Sequence, residues 1–211
     1  MLAVTEPLST PRLLLRPFRP DDADDLYEMR TCPDVLRHLY WPAASRNEVR
    51  EVINARLTMN TLAAENDYLV LAVERRDTGR MIGEVDLCWT SVEHRHAEFG
   101  AILHPAGQGH GYAREASEAL LGLAFDRLGL HRVTARTDAR NAAAVRGLRR
   151  LGLRQEGHLR QCVRFDGKWH DELIFAILAE EWAAGRRGTV VGAFGDGPNG
   201  EPGSPKGAQE A

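Results

Sequence analysis

Gln108-Gly109-His110-Gly111-Tyr112-Ala113 stands between an apolar run, Phe99 to Leu103, and a long amphipathic segment, Arg114 to Leu128. Two glycines at a strand-to-helix junction let the backbone turn sharply and let a ligand approach it closely. The first N–H groups of a helix have no intrahelical partner, so together they form an anion site. The stretch reads as a strand–loop–helix that holds a phosphate. Two familiar phosphate loops do not fit it. No Gly-Lys-Ser/Thr triplet ends it, as a Walker A loop requires. Gly109-x-Gly111 is followed by Arg114 rather than a third glycine, against the dinucleotide fingerprint. Taken alone, the six residues read equally well as an ordinary helix cap.

Outward from the loop, the periodicity orders the chain. Ala116, Leu120, Leu121, Ala124, Phe125 and Leu128 recur at helical spacing, and Gly129 supplies a C-cap. Upstream, Tyr68 to Glu74 and Met81 to Trp89 form strands around the turn Asp77-Thr78-Gly79, and Ala97 to Leu103 forms a third, stopped by Pro105. Downstream come a strand from His131 to Asp138 and a helix from Asn141 to Leu151, ended by Gly152. A hairpin follows around Asp166-Gly167, with strands Leu153 to Phe165 and Trp169 to Leu178. At the start, Arg12 to Phe18 reads as a strand. A short helix capped by Asp21 or Asp22 runs through Met29. The capping box Ser45-Arg46-Asn47-Glu48 opens a helix through about Ala63. The order β-α-α-β-β-β-α-β-α-β-β implies an α/β fold with a mixed, twisted, partly antiparallel sheet. One domain is expected over residues 1–187. A Gly/Pro-rich flexible tail is expected over 188–211.

Composition narrows the function. The 211 residues suit one domain with a good core, and 43% hydrophobic and 27% charged residues are ordinary for a globule. A net charge of -3 makes no electrostatic case for nucleic acid. Cys32, Cys88 and Cys162 are scattered and odd in number, which favours a reducing compartment over disulfides or structural zinc. Neither a signal peptide nor an apolar run of ~18 residues is visible, so a cytoplasmic protein off the membrane is the default.

The context around the opening loop carries a resemblance. Gln108-x-x-Gly111-x-Ala113 resembles the pyrophosphate signature Gln/Arg-x-x-Gly-x-Gly/Ala of the GNAT superfamily of acetyl-CoA-dependent N-acetyltransferases. Glu98 to Pro105, Arg114-Glu115-Ala116, Leu128-Gly129-Leu130, Arg132-Val133, Asn141, Leu151-Gly152-Leu153, Gly157-His158 and Gly167-x-Trp169-x-Asp171-Glu172 follow in that family's order. With Arg12-Leu13-x-Leu15-Arg16-Pro17, the set is similar to the branch that includes ribosomal-protein N-terminal alanine acetyltransferases. The resemblance covers roughly Arg12 to Trp182. It implies helices on both faces of the sheet, acetyl-CoA as co-substrate without a metal, and an amine acceptor. That acceptor is a protein N-terminus first, and a small amine such as a polyamine, an antibiotic or an amino acid derivative close behind.

The resemblance and the residue chemistry name a site. Gln108, Gly109, His110, Gly111, Tyr112, Ala113 and Arg114 would hold the pyrophosphate; Asn141, a helix cap in its own right, would also touch the CoA arm. The backbone of Gly100 to Ile102 would hold the thioester carbonyl. Val85, Leu87 and Trp89 alternate with Glu84, Asp86 and Cys88; Phe99, Ala101 and Leu103 alternate with Glu98, Gly100 and Ile102. Pairing the apolar faces puts Glu84, Asp86 and Glu98 on the other face. Glu84 is expected to be solvated there. Glu98, near the thioester, is the expected catalytic carboxylate, drawing in an ammonium and relaying its proton. Asp86 and Asp171 are candidate acceptor contacts, with a strand-edge salt bridge the competing role for Asp171. No cysteine or serine is set beside a base, so the amine attacks directly. The family's usual proton donors, a tyrosine or a serine after the helix-opening asparagine, are replaced by Leu148 and Ala144, and Tyr112 is a weak substitute. The last strands could pair across a dimer.

Overall fold

In the computed structural model, residues 1–190 are described, the last five by backbone alone; 191–211, most of the expected tail, lie outside the described residues. From the N-terminus the chain runs through β1 (Leu2–Ala3), β2 (Leu8–Ser9), β3 (Leu13–Arg16), α1 (Ala23–Thr31), α2 (Pro33–Leu36), α3 (Arg46–Arg56), β4 (Thr61–Leu62), β5 (Tyr68–Arg75), β6 (Met81–Ser91) and β7 (His96–Leu103). It continues through α4 (Tyr112–Gly122), β8 (Arg132–Asp138), α5 (Ala142–Arg150), β9 (Arg154–Phe165), β10 (Lys168–Leu178) and α6 (Ala179–Val190). Helix α6 runs past residue 187, so regular structure reaches into the first residues assigned to the tail.

Eight strands form one sheet in the order β2-β3-β5-β6-β7-β8-β10-β9, while β1 and β4 pair separately. Every pairing in the large sheet is antiparallel except β7 with β8. That parallel pair exists because α4 carries the chain back across the sheet. Alternation then divides the side chains. Leu69, Leu71, Val85, Leu87, Phe99 and Val133 face α4, α5 and α6; Val70, Ala72 and Ile102 face α1, α2 and α3. Both faces are therefore largely buried over β5 and β6, whereas β9 at the sheet's edge has no buried residue. Each fully buried Leu among them contributes roughly 1.5–3 kcal/mol relative to an exposed one.

Three local departures from sequence periodicity have backbone causes. Helix α3 opens on the expected capping box, with Ser45 Oγ accepting from Glu48 N–H at 3.3 Å, but ends at Arg56 rather than near Ala63. The carbonyls of Met59 and Asn60 accept from Val70 and Val4 N–H, so the sheet claims this backbone. Asp22 occupies the N-cap position of α1 without capping it; its carboxylate is drawn to the buried guanidinium of Arg16 at 2.7 Å. The helix after the loop continues as a π-turn over Leu123–Arg127 before Gly129 (φ +68°) closes it.

Candidate active site

The parallel pair does not stay together. β7 and β8 are in register only over His96–Glu98 with Arg132–Thr134. Beyond that point β7 runs to Leu103 paired only with β6, and β8 runs to Asp138 paired only with β10. A slot thus opens at the carboxyl ends of two parallel neighbours, the usual ligand position in sheets of this kind. Ala101, in the middle of an otherwise buried face, is exposed at this slot.

The phase of the β6–β7 ladder decides which amides face the slot. His104 N–H donates to the Ile82 carbonyl at 2.8 Å, and hydrogen-bonded pairs alternate from there. Ile102 with Glu84 and Gly100 with Asp86 are therefore pairs bonded towards β6. The N–H groups of Phe99, Ala101 and Leu103 point the other way, into the slot. This corrects the expectation for Ile102: its backbone is engaged by β6, and its side chain packs with the α1–α3 cluster. Ala101 is the residue of the expected trio whose amide is turned to the slot.

At the slot's end the loop forms an anion cradle. Gly109 and Gly111 sit at φ +79° and +80°, a conformation that disfavours any side chain. Glu115 N–H donates to the Gly111 carbonyl at 3.1 Å, so Tyr112, Ala113 and Arg114 stand in the open first turn of the helix, where N–H groups lack intrahelical partners. A Cβ on Gly109 would meet nothing within 4 Å, so the space above the loop is open. Gln108 does not reach into it; its Nε2 donates to the Leu103 carbonyl at 3.1 Å and ties the loop to the end of β7. The Tyr112 ring turns away from the slot, under the guanidinium of Arg12 at 4.7 Å. Arg114 pairs along the helix with Glu118 at 2.7 Å, and His110 stands exposed beside Tyr112. The cradle is thus a backbone feature, and its residues fit a pyrophosphate through amides rather than side chains. Asn141, three residues past the end of β8, caps α5 by accepting from Ala144 N–H at 3.0 Å.

On the α1–α3 face, beside the slot, lies a cavity of about 300 Å³ walled by Tyr68, Asp86, Cys88, Glu98, Gly100 and Arg136. It brings Asp86 and Glu98 together as expected, but in unequal states. Glu98 accepts from Arg136 Nε at 3.2 Å, and Arg136 also lies 3.8 Å from Glu172. Among the described residues, the Asp86 carboxylate has no hydrogen bond and no ion pair. Burial, then the neighbouring charge of Glu84, with Glu98 adding less, pushes its pKa up to about 7.

Glu84 overturns its solvated expectation. Only 2% exposed, it lies under α3, where Arg56 Nη2 meets its Oε1 at 2.8 Å. Periodicity put it on the correct face; the helix above makes that face an interior. Asp171 is also occupied elsewhere: His158 and the Gln161 N–H bind its two oxygens at 2.8 and 2.7 Å on the outer hairpin, away from the cavity wall. Leu148, on α5, is buried in the main core, so no side chain from that position offers a proton. Among the described residues no cluster could hold a metal ion, and no helix is long and apolar enough to cross a membrane.

Three residues carry weight at the site that periodicity alone did not single out. Arg136 neutralises Glu98. Tyr40, after α2, buries its hydroxyl beside Asp138 at the end of β8; burial, then the charges of Asp138 and Glu172, hold its pKa well above the usual phenol value. Arg12 reaches the phosphate loop from the other end of the chain. The signal for Arg12 was its place in Arg12-Leu13-x-Leu15-Arg16; nothing local marked the other two.

Comparison with known proteins agrees with this geometry. Residues 12–154 match the family model described as an acetyltransferase (GNAT) domain. An uncharacterised N-acetyltransferase of Bacillus subtilis is 30% identical over 83% of this chain and 98% of its own length. A spermidine N(1)-acetyltransferase of Vibrio cholerae is 28% identical over 81% of this chain and 95% of its own. Among solved structures, a GNAT-family acetyltransferase from Bacillus anthracis superposes with a TM-score of 0.72 at 26% identity, covering 83% of this chain and 99% of that one. The Vibrio cholerae spermidine N-acetyltransferase in complex with CoA and spermine gives 0.71 at 25%, covering 82% and 99%.

Proposed function

Because this chain belongs to the GNAT acetyltransferases, whose donor is acetyl-CoA, we propose that it acetylates a small cationic amine bound as an ammonium ion beside Asp86. The observation that carries this reading is a carboxylate without a partner, facing a cavity at the edge of the acyl slot. An ammonium ion has no lone pair for attack, so a group must take its proton first. Asp86, with a pKa near 7, is suited to do so around neutral pH. The freed nitrogen bonds to the thioester carbonyl carbon, whose oxygen the Ala101 amide is turned to meet. The carbon–sulfur bond breaks, and the sulfur leaves as a thiolate that takes up a proton. Glu98, neutralised by Arg136, contributes less charge than its position suggests and serves the acceptor's approach.

The relatives named as spermidine N-acetyltransferases support a small polycationic acceptor. A protein N-terminus is the second reading, and one observation favours it. An α-amine titrates near ~7.7–8.0, much closer to Asp86 than a lysine-like amine at ~10.4, so proton transfer would be more nearly balanced. A thiol-release assay separates them, with acetyl-CoA and either spermidine and spermine or peptides beginning with alanine or serine. Turnover on the polyamines and not the peptides is expected. Turnover on the peptides alone would replace the first reading by the second, and CoA binding without turnover on either would remove both.

A further inference from the structure

Arg12 lies 98 residues before His110 of the glycine loop and yet is bonded to it. Its Nη1 donates to the His110 carbonyl at 2.8 Å. Its Nε and Nη2 reach Glu115 Oε2 at 2.7 and 2.6 Å, and its backbone N–H meets Oε1 at 2.8 Å. Thr10 Oγ1 donates to the same Oε1 at 2.6 Å.

Two consequences follow from this geometry. The His110–Gly111 peptide is trans, so its carbonyl and its N–H point in opposite directions. Drawing the His110 carbonyl to Arg12 turns the Gly111 N–H to the opposite side, away from the guanidinium. The second consequence concerns charge. Glu115 sits in the first turn of α4, where the helix dipole favours an anion. A bare carboxylate there would repel a phosphate bound at the same terminus. Against the upward push of burial, the hydrogen bonds from Thr10 and Arg12 hold the Glu115 carboxyl below the usual carboxylate range, so it is ionised and needs the guanidinium beside it.

We propose that Arg12 is a positioning residue for the donor's phosphates: it aims the Gly111 N–H into the cradle and cancels the charge of Glu115. This rests on the acetyl-CoA reading of the loop.

The test compares acetyl-CoA with S-acetylpantetheine, a donor with the same thioester and no pyrophosphate, on the full-length enzyme with one acceptor held constant. Wild type should prefer acetyl-CoA. Arg12→Ala should raise the KM for acetyl-CoA about tenfold, leave kcat within about twofold, and leave the S-acetylpantetheine rate unchanged. Arg12→Lys, which keeps the charge but offers one donor group, should fall between. Adding Glu115→Gln to Arg12→Ala should recover part of the lost affinity, because no bare carboxylate then faces the phosphates. Equal losses with both donors, an unchanged KM for acetyl-CoA, or no recovery in the double variant would overturn the proposal. A wild type without preference between the donors would instead overturn the phosphate-cradle reading beneath it. Thermal melting of each variant identifies a folding failure, in which case the lysine variant decides.

Discussion

Gly100 and Asp86 stand opposite each other across β7 and β6, so close that a Cβ built on Gly100 would lie 2.3 Å from Asp86 Oδ1. The carboxylate rests over the bare backbone of the strand that borders the acyl slot. Only glycine leaves it that place. Gly100→Ala is therefore expected to push Asp86 aside, lowering kcat/KM at least tenfold, with a stability loss of about 1–3 kcal/mol by overpacking. Steady-state kinetics and urea unfolding measure the two effects; an unchanged kcat/KM would make the carboxylate's position irrelevant.

Asp86→Asn should lower kcat/KM by about 10²–10⁴-fold, the usual range for a lost general base. In wild type, kcat/KM should rise with pH through a midpoint near 7 as Asp86 ionises, and the variant should lose that limb. Its effect on stability has the opposite sign. A carboxyl whose folded pKa is raised above its unfolded value stabilises the fold below the unfolded pKa, and that contribution is lost as pH rises through about 7. Asp86→Asn should thus raise the melting temperature at pH 8 more than at pH 5. A lower melting temperature at pH 8 would contradict the buried, unpartnered carboxylate.

Glu98→Gln is expected to be the milder change, because Arg136 already neutralises that carboxylate at 3.2 Å. We expect a fall in kcat/KM below about tenfold, mainly through the acceptor KM. The pH limb should persist and move to lower pH, since one of the like charges raising Asp86 is gone. A complete loss of turnover would return the catalytic role to Glu98.

Gly111→Asp places a side chain at φ +80° with its Cβ 3.5 Å from Arg12 Nη2, so it strains the loop backbone and brings a carboxylate to the guanidinium that holds the loop. Its KM for acetyl-CoA should rise more than about tenfold, while circular dichroism stays unchanged. Retained donor affinity would move the pyrophosphate elsewhere.

Arg16→Met tests the support beneath α1. Arg16 is buried and bonded to Asp22 at 2.7 Å and to Glu74. Removing it leaves the buried Asp22 carboxylate without its cation and Glu74 with only Arg19 at 3.8 Å, with an expected loss of about 3–5 kcal/mol in unfolding free energy. Activity per folded molecule should not change, which separates this position from the active site.

The loop proposed to hold the donor was legible in the chain because it is local. It is six consecutive residues, and its shape depends on two glycine φ angles and a helix that begins beside them. The faces of β6 and β7 were legible too, since a period of two assigns Glu84, Asp86 and Glu98 together. What alternation does not contain is the ladder's hydrogen-bonding phase. Pairs bonded to β6 differ from pairs turned to the slot only by register, so Ile102 and Ala101 could not be told apart until β6 was in place.

The acidic side chains show the same limit more sharply. Glu84 and Glu98 each met a partner from a distant segment, Arg56 on α3 and Arg136 on β8, and Asp171 met His158 and Gln161 across its own hairpin. Asp86 met none. Which of four carboxylates keeps its charge uncompensated is a matter of what packs above it and which cation lies across from it.

By itself, then, the sequence determined the sheet, the crossover helix and the phosphate loop, because propensity, periodicity and glycine conformation act between near neighbours. Only the tertiary structure decided that Asp86 stands alone, that Ala101 turns its amide to the slot, and that Arg12 holds the loop. Desolvation and charge pairing depend on distances between segments far apart in the chain, and folding alone brings those segments together.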